Sequence, residues 1–290
     1  MEGLSEALQQ EGIAVEHEVS ARKLSTFAAG GMVQNLVLPA DVAQLQAAIR
    51  LLSSVRYHVL GAGSNTLISD FGLEWVLSTR ALKGIAVEGQ TIRAAAGESL
   101  PNLAKAALEA SLTGLEFCAG IPATVGGALK MNAGAYGQDM SHTVESALVV
   151  DAEGVRRVDK VDLGLRYRGS TIAGVVAEVS FRCAVAERTA IANTIRDMQS
   201  ARAATQPHQA SLGCVFKAAG GIPAAKLIQG CGLKGTRIGQ AAVSGVHCNF
   251  IVNTGGATAR DYLRLVDVVK RAVHDRYGIY LEEEFVHLHD

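Results

Sequence analysis

The sequence predicts a mixed α+β fold, and three observations carry that expectation. Short apolar runs rich in Val, Ile and Leu alternate with stretches whose apolar residues recur at helical spacing. Glycine, 31 of 290 residues, gathers into clusters instead of spreading evenly. The organisation also shifts near residue 185, where a helical stretch follows a series of strands.

Each element has a local reason. Gln34-Asn35-Leu36-Val37-Leu38 reads as a strand. Asp41 can cap the helix after it, which sets Val42, Leu45, Ile49 and Leu52 on one face. Tyr57-His58-Val59-Leu60 is a strand that runs into Gly61-Ala62-Gly63-Ser64-Asn65, and Trp75-Val76-Leu77 is another. Ser99 can cap a helix through Ala110, with Pro101 in its first turn. Residues 114–137 are glycine-rich, and strands are expected at 147–150, 155–158 and 175–181. Beyond 185, residues 186–203 form a helix with Ile191, Ile195 and Met198 on one stripe. Cys214-Val215-Phe216 reads as a short strand, 224–231 as a helix stopped by Gly232, and 248–252 as a strand. The clearest helix is 258–277, where Tyr262, Val266, Val269 and Val273 share a face and Gly278 ends it. Residues 279–288 read as a final strand.

Composition excludes several function classes. Hydrophobic residues make up 49% and the formal net charge is −1, so the chain is not disordered. A nucleic-acid partner is not expected, because 27 basic residues against 28 acidic ones leave no basic excess. The start Met1-Glu2-Gly3-Leu4-Ser5-Glu6 has neither the basic nor the apolar character of a signal peptide. The longest uncharged run, 238–259, holds Gln240, Ser244, His247, Asn249 and Asn253, so no membrane span is expected. Cys118, Cys183, Cys214, Cys231 and Cys248 are odd in number and never form Cys-x-x-Cys. They point to a reducing cytoplasm, with no bound metal and no disulfide framework.

Two glycine clusters suggest ligand chemistry. In 61–65 the backbone can approach a ligand closely, and its N–H groups with Ser64 and Asn65 can cradle a pyrophosphate. A plain tight turn would look the same, and Thr66 stands where a Rossmann fingerprint needs its third glycine. The second cluster runs Gly120-Ile121-Pro122-Ala123-Thr124-Val125-Gly126-Gly127-Ala128, then Met131-Asn132-Ala133-Gly134-Ala135-Tyr136-Gly137. It is poor core material and a poor solvated loop, and a backbone wrapped on a flat or phosphorylated ligand explains it better. Two such clusters in one half of a chain suggest a dinucleotide, although spacing does not say which.

That second string, preceded by Gly114-Leu115-Glu116-Phe117, resembles the FAD-binding segment of the UDP-N-acetylenolpyruvoylglucosamine reductase (MurB) family, and 61–65 is similar to the family's first flavin loop. The resemblance continues in order through Leu165-Arg166-Tyr167-Arg168-Gly169-Ser170, Thr205-Gln206-Pro207 and Gly213-Cys214-Val215-Phe216-Lys217. It extends through Ala225-Lys226-Leu227-Ile228, Gly232-Leu233-Lys234-Gly235 and Asn249-Phe250-Ile251-Val252-Asn253-Thr254-Gly255-Gly256-Ala257, and spans roughly 24–288. Length and the lack of an inserted loop in the last third resemble the family's shorter subtype.

The resemblance implies a PCMH/VAO-type flavin module of two subdomains, 1–54 and 55–185, with a C-terminal α+β substrate domain at 186–290. It implies FAD as cofactor, NADPH as hydride donor and a UDP-sugar substrate whose enolpyruvyl ether is reduced for peptidoglycan synthesis. No obligate protein partner is evident. The flavin would contact Gly61, Ala62, Gly63, Ser64, Asn65, Gly120, Thr124, Gly126, Gly127, Asn132 and Gly134. Arg168 matches the family's catalytic arginine, whose forked cation would hold a carboxylate as it gains charge. Cys214 takes the proton-donor position, where the family more often has Ser, and a thiol is the easier donor. Glu284 matches the last family position, within Leu281-Glu282-Glu283-Glu284-Phe285, where Glu283 replaces Pro. Alternation puts Glu282 and Glu284 on one strand face and Glu283 on the other. Tyr167, Lys217 and His247 are candidate substrate contacts. Ala218-Ala219 replace the common Asn-Pro, so one usual contact is missing.

By themselves these residues have plainer readings: a surface Arg beside a Tyr, an inert strand Cys and a solvated acidic edge. A flavin oxidase sharing only the flavin half, or a nucleotide binder without catalysis, are the alternatives. The match over 200–288 argues against the first, and the retained Arg168, Cys214 and Glu284 against the second.

Overall fold

The computed structural model describes residues 2–290. The chain forms two compact units, each assembled from three separate segments. The first holds the residues up to His17, Asn35–Ala62 and Trp75–Arg202; the second holds Glu18–Gln34, Gly63–Glu74 and Ala203–Asp290. Helix and sheet are mixed throughout, as an α+β reading requires.

The first unit is organised on a five-stranded antiparallel sheet. Its order is Val155–Asp159, Val144–Val150, Val175–Arg182, Thr91–Ala95, Ile85–Glu88. The central strand Val175–Arg182 is buried along almost its whole length, which its run of Val, Ala and Phe permits. Around this sheet lie α1 (Glu2–Gln10), α2 (Val42–Leu52), α3 (Leu100–Glu109), α4 (Val125–Lys130) and most of α5 (Arg188–Thr205). Helix α2 starts where Asp41 accepts from Gln44 N at 2.8 Å, and it buries Leu45, Ala48, Ile49 and Leu52. Helix α3 starts where Ser99 accepts from Asn102 N, with Pro101 in its first turn. Each large apolar side chain buried this way contributes about 1.5–3 kcal/mol. The chain passes from the first unit into the second after Arg202; Ile195 and Met198 of α5 pack on the first core, and Ile191 is buried. Helix α1 and the strand Ala14–Ser20 have no counterpart in the pattern reading.

The second unit has an antiparallel sheet ordered Ser211–Cys214, Phe250–Asn253, Ala241–Val243, Arg237–Ile238. Helices α6 (Ala224–Gly230) and α7 (Ala259–Tyr277) complete its core. Helix α7 has its ends fixed twice. Thr258 and Asp261 form a reciprocal capping box, and the Asp70 carboxylate accepts from Ala259 N and Arg260 N at 2.8 and 2.9 Å. Gly278 ends the helix at φ +67, donating its N–H to the His274 carbonyl at 2.7 Å.

Two strands differ from the pattern reading. The strand expected at 214–216 lies at Ser211–Cys214. Gly213 at φ +79 and a register shift between Ser211 and Cys214 break the alternation there, so Phe216 makes only an isolated bridge to Glu283. The strand expected over 279–288 is regular only at Val286–Leu288, which pairs in parallel with Thr66–Ile68. Among the described residues, no helix is long and apolar enough to cross a membrane.

Candidate functional site

In the first unit the two glycine clusters meet at one side chain. A Cβ at Gly61 would overlap Thr124 Oγ1, and one at Gly127 would sit 3.2 Å from the same oxygen. Thr124 precedes α4 but does not use its hydroxyl as a cap. That hydroxyl is buried and has no hydrogen-bond partner among the described residues. A buried hydroxyl left unmade costs about 1–3 kcal/mol, so the arrangement is incomplete without an outside partner. A phosphorylated ligand supplies one, and the absence of side chains at Gly61 and Gly127 leaves backbone open beside it. The residues present fit a dinucleotide.

Arg80 sets the shape of the first loop. Its Nε donates to Gly61 O at 2.9 Å and its Nη2 to Ala62 O at 2.8 Å. Burial lowers its pKa, yet a guanidinium starts high enough to stay charged. By fixing two carbonyls it sets the orientation of the adjoining peptide planes. Sequence reading missed it, since no motif spacing links it to the loop. Gly120 lies against Arg202, where a Cβ would be 3.0 Å from Cδ. Gly126 lies against Ala96, and Gly134 is packed on Gln138 and Asp139.

Arg168 occupies a tight hairpin. Arg166 and Gly169 exchange backbone hydrogen bonds at 2.9 and 3.1 Å, and Tyr167 and Arg168 form the tip. Arg168 has φ +55, a left-handed conformation uncommon for a residue other than glycine, and its guanidinium lies 5.2 Å from the Tyr167 ring centroid. Two neighbours pin the hairpin. Asn132 Nδ2 donates to Arg166 O at 3.1 Å, and Ser170 Oγ donates to Lys130 O at 2.8 Å. The Asn132 side chain is therefore engaged with protein, its Oδ1 accepting from Ser141 N at 3.0 Å.

In the second unit Cys214 and Glu284 lie on paired segments. Glu284 N donates to Val215 O at 2.8 Å, and Lys217 N donates to Glu282 O at 2.9 Å, flanking the bridge between Phe216 and Glu283. That register sets Glu284 opposite Val215, while Cys214 pairs with Phe250. Asn249 holds the Cys214 side of the pair. Buried, it accepts from Phe216 N at 3.0 Å and donates to Phe216 O at 2.8 Å, while its own carbonyl accepts from Val215 N at 2.8 Å. Asn65 holds the other side, donating Nδ2 to Glu284 O at 2.9 Å and accepting from Val286 N at 2.9 Å. The Asn65 amide is thus spent on the strand that carries Glu284. Asn249 was visible in a matched string, but nothing in the string revealed its clamp.

The remaining candidates are also placed. Lys217 pairs with Glu282, its side chain only 22% exposed against 72% for the acid. His247 packs edge-on to Phe250 and accepts from Asn249 N through Nδ1 at 3.3 Å, and burial lowers its pKa. It is therefore neutral at pH 7 and offers hydrogen bonds, not charge. Gly63, in the second unit, fits where a Cβ would overlap Leu24 O, and its carbonyl accepts from Thr26 N at 3.1 Å.

A glycine cradle of this kind in a mixed α+β module fits an FAD-binding protein. The family model described as an FAD binding domain matches residues 33–159. A berberine bridge enzyme structure shares the fold at TM-score 0.52, 16% identity, 64% of this chain and 44% of that chain. The chain belongs to the UDP-N-acetylenolpyruvoylglucosamine reductase family. The model for that family's C-terminal domain matches residues 206–288. UDP-N-acetylenolpyruvoylglucosamine reductase 2 of Symbiobacterium thermophilum is 42% identical over 88% of this chain and 86% of its own. The crystal structure of the Thermus caldophilus reductase is 34% identical, at TM-score 0.81, covering 96% of this chain and all of that one.

Proposed function

We propose that the protein reduces the enolpyruvyl ether of UDP-N-acetylenolpyruvoylglucosamine to the lactyl ether of UDP-N-acetylmuramate, with NADPH as electron donor, to supply peptidoglycan precursors. A hydride adds to C3 and a proton to C2, while NADPH leaves as NADP+. The observation that carries the reading is the clamped pair of segments in the second unit. Glu284 donates its N–H to the carbonyl of Val215, the residue after Cys214, and Asn249 and Asn65 fix the backbone on either side.

FAD, when bound, supplies the two-electron relay between NADPH and the enolpyruvyl carbon. It would be held by Gly61, Ala62, Gly63 and Ser64, with Gly120, Thr124, Gly126, Gly127 and Gly134, while the side-chain amides of Asn65 and Asn132 are engaged by the protein and shape the loops; Thr124 offers a hydroxyl that has no partner among the described residues. Arg168 binds the substrate carboxylate and stabilises the negative charge that collects there as the double bond is reduced. A left-handed φ costs about 1–3 kcal/mol, and the pinned hairpin maintains it, which keeps the guanidinium oriented before substrate arrives. Cys214 gives the proton: its S–H bond breaks, the C2–H bond forms, and the thiolate regains a proton from solvent. A thiol is a far stronger acid than an alcohol and does this more readily. Glu284 partners this transfer. Tyr167, Lys217 and neutral His247 contact the UDP-sugar.

The test is product analysis in heavy water. The substrate should gain two hydrogens with NADPH, and the product should carry solvent deuterium at C2. An unreduced substrate, or deuterium at C3 alone, rejects the reading.

A further inference from the structure

Asn65 stands where the glycine loop at 61–65 becomes a strand. The next three residues, Thr66–Ile68, pair in parallel with Val286–Leu288. In a parallel ladder, a residue sends its main-chain N–H and C=O to two residues that flank its partner. Asn65 makes one of these bonds in the ordinary way, its main-chain carbonyl accepting from Val286 N at 2.9 Å. It makes the other with its side chain, Nδ2 donating to Glu284 O at 2.9 Å. The side-chain amide thus takes a place that a main-chain N–H would fill.

The loop is held so that backbone does not take that place back. Gly63, at φ +69, leaves no room for a Cβ against Leu24 O, and its carbonyl accepts from Thr26 N at 3.1 Å. Ser25, itself buried, donates Oγ to Thr66 O at 2.8 Å. The segment from Gly63 to Thr66 is therefore fixed from the side of residues 24–26, and Asn65 reaches across it toward Glu284. Glu284 in turn is gripped at both main-chain groups. Its N–H donates to Val215 O at 2.8 Å, and its carbonyl accepts from Asn65. A residue with both groups engaged has little freedom in its backbone angles, so the direction in which its side chain leaves the chain is set.

We propose that Asn65 is a positioning residue for Glu284: its side-chain amide aims the carboxyl that partners proton transfer, while the main chain of the same loop serves the flavin. One residue thereby ties the segment that would hold the cofactor to the segment that moves the proton. No bond forms or breaks at Asn65, and the proton still passes from Cys214 to C2. This inference rests on the reading of Glu284 as partner in that transfer.

The test begins with the flavin-loaded protein and no substrate. Hydrogen exchange is read by mass spectrometry on a peptide covering residues 282–288. Asn65→Ala should exchange there about five to ten times faster than wild type, with flavin content unchanged. Turnover supplies the readout that looser packing alone would not move. Reoxidation of the reduced flavin at saturating substrate should slow by about tenfold, with half-saturation and the rate of reduction by NADPH unchanged. In a Glu284→Gln background the same substitution should slow reoxidation no further, because no carboxyl is left to aim. Unchanged exchange overturns the inference, and so does loss of flavin from Asn65→Ala, which would assign the side chain to the cofactor. Equal slowing with and without the Glu284 carboxyl overturns it too, as a general loosening. If Asn65→Ala does not fold, Asn65→Ser, whose hydroxyl ends one bond short of the amide nitrogen, is judged by the same outcomes. Exchange needs no turnover, so its failure leaves the reductase reading standing. A wild type that never reduces the substrate rejects that reading and takes the positioning role with it.

Discussion

The glycine cradle around Thr124 and the strand pair around Cys214 present polar groups to a ligand in opposite ways. In the cradle, backbone does most of the presenting. Side chains are absent at Gly61 and Gly127, and Arg80 fixes the peptide planes from behind by holding two carbonyls. At the strand pair the proposed chemistry falls to side chains, and the backbone beside them is held by hydrogen bonds. Asn249 and Asn65 take up the main-chain groups on either side, so that Cys214 and Glu284 project from a fixed frame. A cradle suits a ligand that stays bound, where close approach matters most. A side-chain site suits a reaction in which one proton moves and returns.

If the comparison is right, damage to the two regions separates cleanly. The largest effect belongs to Cys214→Ala. It should slow reoxidation of the flavin by substrate by about 10²–10⁴-fold while flavin reduction by NADPH remains near wild type in stopped-flow traces. Cys214→Ser should retain substantial turnover. If the alanine variant turns over normally, the strand pair does not supply the proton. Gly61→Val tests the cradle: its side chain would occupy the space beside Thr124 Oγ1, so the purified protein should lack its 450 nm absorbance and still fold. Retention of full flavin content would show that the loop is only a turn.

Smaller effects sharpen the same contrast. Asn249→Leu loses a two-way bond to Phe216, and should lower unfolding stability by about 2 kcal/mol with flavin content unchanged. Thr124→Val should weaken FAD binding by about tenfold in a dilution titration, without lowering the melting temperature of the apoprotein. The smallest expected effect is a pH dependence. His247 has its folded pKa depressed by burial, so the unfolded chain takes up a proton first as pH falls. Stability is unaffected above the unfolded value of about 6.5 and declines below it toward the folded one. His247→Gln should flatten that slope in urea titrations between pH 7 and 5.

What the sequence made readable was local. Asp41, Ser99 and Gly278 mark helix ends because a cap bonds within a few residues of itself, and the structure has all three in those roles. The glycine loops were readable for the same reason, as a run of residues that only a close approach explains. The rest depends on contacts distant in sequence. Asp70 caps a helix 189 residues away, and Asn253 donates to Phe27 O across 226. Neither residue has a neighbour that reveals this. The roles of Arg80 and Asn249 went unread because each acts on backbone brought close only by folding. The strand expected at Cys214 was displaced because Gly213 at φ +79 interrupts the ladder, an effect that an apolar run does not show.

The central claim is that a flavin cradle and a proton-donating strand pair work in sequence on one substrate. Anaerobic titration tests it most directly. NADPH should bleach the bound flavin, and one equivalent of UDP-N-acetylenolpyruvoylglucosamine should then restore its colour in the wild type and in Cys214→Ser but not in Cys214→Ala. Bleaching with no recovery in the wild type, or equal recovery in Cys214→Ala, would contradict the account.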